Sequence, residues 1–220
     1  MTIDLSPIII SLRTATLSII VTFFLGVAAA QLVFRLKSKM MKTILDGLFT
    51  LPLVLPPTVA GFFLLYIFGM RRPIGKFFIE YFAVKVAFSW GATVLAAVVI
   101  SFPLMYRAAR GAFEQVNPDV LSAGRTIGMS EWKIFWKVQL PIAWPGVVSG
   151  AVLAFARGLG EFGATAMIAG NIKGKTRTLA VYSAVASGNM KEAGECVAVL
   201  VCISFIVVIC MNYFSMEKKG

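Results

Sequence analysis

Histidine is missing from all 220 residues, which excludes histidine-based triads and histidine–metal sites. Acidic side chains are scarce, 10 against 21 Lys and Arg, and charged residues together make up only 14%. Cysteine is nearly absent as well. Cys196, Cys202 and Cys210 fall in the last uncharged run without Cys-x-x-Cys spacing, so they read as small apolar packing residues, with no disulfide framework or metal site. Two nucleotide-like patterns fail on context. Gly158 to Gly163 spells a dinucleotide fingerprint, but inside an apolar run and with no acidic residue about twenty positions on. Gly170 to Thr176 ends like a phosphate loop, yet Ala169 stands where the first glycine is required. No catalytic residue and no cofactor is expected, and any energy from ATP has to come from another polypeptide.

What the chain has is hydrophobicity: 59% apolar residues and a mean hydropathy of +0.85, far from the profile of a soluble domain. Uncharged runs at 14–34, 47–70, 86–106, 138–156 and 196–216 span 21, 24, 21, 19 and 21 residues. Each is near the ~20 residues that cross the hydrocarbon as a helix. A sixth run, Thr178 to Met190, has only 13 residues and contains Ser183, Ser187, Gly188 and Asn189, so it reads as re-entrant or interfacial. The expectation is one all-α integral membrane domain over 1–220 with about five transmembrane helices, near 8–34, 47–70, 86–106, 138–168 and 196–216.

The net charge of +11 does not point to nucleic acid, because the charges sit at the ends of apolar runs and form no basic face. They set topology instead. If residues 114–141 are cytoplasmic, eleven basic residues lie on that side, among them Arg35, Lys37, Lys39 and Lys42, and eight on the other, among them Arg71, Arg72, Lys175 and Arg177. That bias puts the N-terminus outside and the C-terminus inside. The first apolar run is too long for a cleavable signal and lacks a basic leader. The outer basic residues could also concentrate an anionic substrate.

The most specific stretch is NPDVLSAGRTIGMSEWKIFWKVQLP, residues 117–141. Asn117 is positioned to cap a helix that starts at Pro118, Asp119 puts negative charge in its first turn, and Gly128 supplies the stop. Val120, Ala123, Gly124 and Ile127 recur at i, i+3, i+4 and i+7, giving one narrow apolar face with a nearly bare centre that a partner's backbone could approach. Ser130 is placed to cap a second helix, running through Trp132, Phe135 and Trp136 to a break at Leu140-Pro141.

This segment resembles the cytoplasmic coupling loop of ABC-importer permeases, which reads Glu-Ala-Ala, three residues, Gly, nine residues, Ile, one residue, Leu-Pro. Ser122, Ala123 and Gly124 stand for the triplet, Gly128 for the glycine, Val138 for the isoleucine, and Leu140-Pro141 close the motif. Ser122 lacks the family's acid, which puts any ion pair at that position in doubt. LPLVLPPTVAGFFLL, FSWGATVLAAVVISFPLMYRAARGAFEQV and ARGLGEFGATAMIAGNIKGKT are similar to the permeases of molybdate importers, with sulfate importers as close relatives. The resemblance implies an ABC-importer permease fold and a tetrahedral oxyanion as substrate, molybdate first, with tungstate or sulfate as alternatives. It also implies partners: a second copy of the chain, two cytoplasmic ATPase subunits and an extracellular or periplasmic binding protein, all in a prokaryotic cytoplasmic membrane. From another class, an ion-coupled secondary transporter would use a charged relay within the spans.

Such charge exists. Arg157 and Glu161 lie one helical turn apart inside an apolar stretch, flanked by Gly158, Gly160 and Gly163, with Thr165 following. Intramembrane charges are costly and mark function by default, so the pair is either a structural bridge or a lining of the path. Arg13 is a second candidate partner for Glu161. Pro52, Pro56 and Pro57 free backbone carbonyls within the second span, as either a gate or a kink.

Overall fold

The computed structural model describes residues 6–185 and 190–216. Its backbone there is helical: α1 (Ser6–Arg35), α2 (Lys39–Val54), α3 (Pro57–Phe68), α4 (Pro73–Phe82), α5 (Trp90–Glu114), α6 (Pro118–Thr126), α7 (Glu131–Ile134), α8 (Leu140–Leu159), α9 (Gly163–Ala169), α10 (Leu179–Val185) and α11 (Met190–Met216). No strand occurs among the described residues. Residues 186–189 lie outside them, so the expected re-entrant piece at 178–190 is seen only in its first part, as α10.

Helices in lipid gain little from burying apolar surface, so they associate through small residues and interhelical hydrogen bonds. The packing of α1 on α5 is of this kind. The Thr14 and Thr93 hydroxyls meet at 3.0 Å, those of Thr22 and Ser101 meet at 3.1 Å, and a Cβ on Gly26 would lie 2.6 Å from Met105 Cγ. Every one of these pairs is offset by 79 residues, which makes the two helices parallel. Each hydrogen bond contributes on the order of 0.6 kcal/mol, and the shared offset locks the register. On the other side of α5, Gly146 faces Ala112 and Gly150 faces Ala108, an antiparallel register that brings α8 back.

Two parallel helices require a return crossing between them. That crossing is α2 followed by α3, broken at Leu55-Pro56 and bent by 109°. Pro56 and Pro57 withhold two consecutive amides, so the α2 ladder cannot continue, and Pro57 is a favoured first residue for α3. No residue of α2 is fully buried. The helix is held to α5 mainly by Phe49, whose ring lies 5.6 Å from Phe102 and 5.2 Å from Tyr106, and by Asp46, which accepts a hydrogen bond from Tyr106 and pairs with Arg110.

Two sequence expectations are corrected here. The helix begun at Glu131 does not break at Leu140-Pro141 but runs on to Leu159, 29 residues in all. A π turn over Phe135–Gln139 carries it through, with the Leu140 N–H bonded to the Phe135 carbonyl. This wider turn reorganises the ladder just ahead of the proline, whose missing N–H then interrupts nothing. Conversely, the span expected over 138–168 is not one helix. It ends at Leu159–Gly160 and restarts at Gly163 as α9. Among the described residues three helices, α1, α5 and Glu131–Leu159, are long and apolar enough to span a bilayer, four when the bent pair is counted as one span, and α11 carries the last apolar run.

Candidate functional site

Two places collect the residues singled out from sequence. The first is the loop between α5 and α8. The Asn117 Oδ1 accepts the Asp119 amide at 2.8 Å, Pro118 opens α6, and Gly128 ends the segment at φ +78°, a backbone that favours glycine. Ser130 then accepts the Lys133 amide and starts α7. The two short helices are clamped together: Arg125 pairs with Glu131 at 2.7 Å, and Arg35 of α1 donates to the Glu131 carbonyl at 3.0 Å. Ser122 makes no ion pair. Its carbonyl accepts from Thr126.

The expected apolar face divides in two. Gly124 is buried, not bare to solvent, and a Cβ there would lie 3.2 Å from Ile134 Cγ1. Leu121, one turn earlier, is buried beside it. Gly124 thus lacks a side chain because α6 lies close on α7 of the same chain. Val120, Ala123 and Ile127 occupy the adjoining arc and are exposed, Ile127 at 77%. Pro141 lies inside the continuous helix beyond.

The second place is where two helix breaks meet. Gly163 lies against the Pro57 ring and the Thr58 amide, so close that a Cβ on it would stand 3.0 and 3.2 Å from them, and a Cβ on Gly61 would sit 2.6 Å from Ala164 Cα. The break at Pro56-Pro57 and the break at Gly160–Phe162 therefore abut, with α3 lying on α9. Glu161, 2% exposed, ties α8 to α9 at the second of these breaks. Its Oε2 accepts from Arg157 Nη1 at 2.8 Å, and its Oε1 accepts the Ala164 amide at 2.8 Å. The carboxylate thereby supplies the capping acceptor that α9 otherwise lacks, where the helix dipole favours an anion. Thr165 is buried within α9. Arg13 is not a partner of Glu161: it lies on an exposed face of α1.

The Asp46, Tyr106 and Arg110 cluster, extended by Arg110 Nε to Glu114 at 2.9 Å, is a feature that sequence reasoning missed. Its one signal was a lone aspartate at the edge of an apolar run. No group of three or more His, Cys, Asp or Glu that could hold a metal ion occurs among the described residues.

A bundle of this kind, with a return crossing split by prolines and an exposed, clamped loop helix, has the architecture of an ABC-importer permease. The solved inward-facing MetNI methionine ABC transporter includes a chain that superposes at a TM-score of 0.75 with 15% identity, over 98% of this chain and 95% of that one. A bacterial ABC transporter that imports alginate superposes at 0.75 with 13% identity, over 99% and 80%. Residues 22–216 match the family of binding-protein-dependent transport system inner membrane components, and the chain belongs to that family. Among curated relatives, the putative molybdenum transport system permease YvgM of Bacillus subtilis is 43% identical over 97% of this chain and 93% of its own length. The molybdenum permease ModB of Escherichia coli K12 is 40% identical over 97% and 95%. The chain is thus a multi-pass membrane permease and not an enzyme; ATP hydrolysis belongs to a separate subunit.

Proposed function

We propose that this chain is the permease of an ATP-driven importer of a tetrahedral oxyanion, molybdate foremost, with tungstate and sulfate as the competing substrates. The observation that carries this reading is full-length identity of 43% and 40% to two molybdenum permeases from distant bacteria. In this reading two copies form the path, two ATPase subunits dock on the cytoplasmic loops, and a binding protein delivers the anion on the other side. The N-terminus is outside and the C-terminus inside.

The geometry supports a route for coupling. Val120, Ala123 and Ile127 would receive the ATPase, and the Arg125–Glu131 pair transmits its displacement from α6 to α7. From Glu131 to Leu159 the helix is continuous, about 43 Å at 1.5 Å per residue. A push on the loop therefore reaches Arg157 at the far end of that helix and acts on the break beyond it, where Gly160 and Glu161 lead into Gly163 and α9. There α9 moves against α3, and the Pro56-Pro57 break lets α3 follow while α2 stays. The test is ATP-dependent uptake of labelled molybdate by vesicles holding the complete complex, with tungstate and sulfate as competitors. Uptake inhibited by tungstate but not by sulfate fits molybdate; uptake blocked by sulfate alone reassigns the substrate; none of the three anions accumulating overturns the proposal.

A further inference from the structure

Arg13 is a cation within the apolar helix α1. Among the described residues no carboxylate pairs with it, and it is exposed on α1. It borders an open cleft of about 410 Å³ whose other walls are Leu12, Thr16, Leu17, Ile20 and Trp90. The α1–α5 register fixes its depth. With an offset of 79, Arg13 stands level with Ala92, two residues inside the start of α5, or about 3 Å along the axis. Trp90, the first residue of α5, sits at the level where tryptophans gather at a membrane–water interface. Its indole Nε1 donates to Thr14 Oγ1 at 3.1 Å, which holds the ring as a wall of the cleft.

From Arg13 towards the bilayer centre the same face of α1 carries Leu17, Ile20 and Phe24, at i+4, i+7 and i+11, exposed at 39%, 50% and 64%. The stripe is thus a guanidinium and a hydroxyl at interface depth, an indole beside them, and an exposed apolar face running about 16 Å below, of which Leu17 and Ile20 line the cleft. We infer that this cleft is a phospholipid site, with the headgroup phosphate on Arg13 and Thr16 and an acyl chain along Leu17, Ile20 and Phe24. An arginine at this depth reaches the headgroup layer, and its planar fork suits phosphate oxygens. A cleft that continues into an exposed apolar face beneath one cation selects a lipid over a free oxyanion, which has nothing to place there. The lipid class is an anionic one, since among the described residues no carboxylate lines the cleft to repel it or to receive a cationic headgroup.

The test uses the full chain, purified in detergent with its ATPase subunits, and native mass spectrometry after mixing with phosphatidylglycerol or with diacylglycerol of the same acyl chains. The wild type retains phosphatidylglycerol and not diacylglycerol. Arg13→Gln retains about five-fold less, the effect of one basic residue at an anionic surface, while Lys85→Gln retains as much as wild type. Leu17→Ala combined with Ile20→Ala keeps the charge and lowers retention of long-chain but not short-chain phosphatidylglycerol. Melting curves in lipid-free detergent check that each variant is folded, and if Arg13→Gln is not, the Leu17 and Ile20 pair decides. Equal retention by wild type and Arg13→Gln overturns the site. So does displacement of the lipid by molybdate, which would put Arg13 in the path, or a disulfide between cysteines at position 13 of two copies, which would put it at an interface.

Discussion

The Glu161 carboxylate accepts the Ala164 amide at 2.8 Å, so the side chain that pairs with Arg157 also starts the next helix. Removing it has two separable effects. Glu161→Gln keeps an acceptor for Ala164 and loses the charge; Glu161→Ala loses both. Glu161→Ala should therefore be the less stable by about 1 kcal/mol, the typical worth of a capping acceptor. Melting curves of the two variants in one detergent measure the difference, and coincident curves would mean that the cap contributes nothing.

The pair itself is tested by uptake. The double change of Arg157→Gln with Glu161→Gln leaves no stranded charge, so it should recover stability relative to Glu161→Gln alone. If the breaks at Pro57 and Gly163 form the gate, oxyanion uptake in vesicles stays low despite that recovery. Normal uptake by a stable double variant would reduce the pair to packing.

At the loop, Ala123→Arg should abolish recovery of the ATPase subunit in pull-downs while membrane insertion persists, because Ala123 is exposed. Gly124→Arg acts differently: its side chain would enter the contact with Ile134, detach α6 from α7 and lower stability as well. If Ala123→Arg leaves ATPase recovery unchanged, the exposed arc is not the docking face.

Close approach of α3 to α9 depends on Gly61. A methyl there would meet Ala164 Cα and Met167 Cβ at 2.6 and 2.8 Å, so Gly61→Ala forces the two helices apart. Overpacking of this kind costs about 1–3 kcal/mol, and transport should fall with it. Unaltered melting and uptake would show that the contact opens freely.

Sidedness follows from cysteine labelling with an impermeant reagent in intact cells, on a background lacking Cys196, Cys202 and Cys210. Cysteines at Lys76 and Lys175 should react, and one at Ser130 should not. Lys76 is exposed, whereas its neighbour Gly75 is pressed against the Gly69 carbonyl and has no room for a side chain. The reverse pattern would invert the orientation.

Local chemistry was legible in the chain. The caps at Asn117 and Ser130, the stop at Gly128 and the Arg157–Glu161 pair each depend on residues within a turn of one another, and each is present. What spacing conceals is which way a face turns. Gly124 lies on the same apolar arc as Ala123, yet only the fold assigns one inward to Ile134 and the other to solvent. The break after Leu159 was hidden because an apolar, glycine-rich stretch reads the same whether or not it is continuous. Asp46 was hidden too, since its partners Tyr106 and Arg110 are some sixty residues away along the chain.

The π turn at Phe135–Gln139 has a consequence for angular phase. Counting back in steps of 3.6 from the inward residues Val147 and Ala143, an unbroken α-helix would turn Trp136 and Trp132 into the bundle and Ile134 away from it. The turn holds one residue more than an α-helical turn would and rotates everything before it by about 100°. Ile134 and Phe135 are consequently buried, and Trp132 and Trp136 are exposed. One extra residue therefore gives Gly124 a surface to rest on and leaves two indoles facing outward where the loop meets the span, the depth at which tryptophan anchors a helix in a membrane.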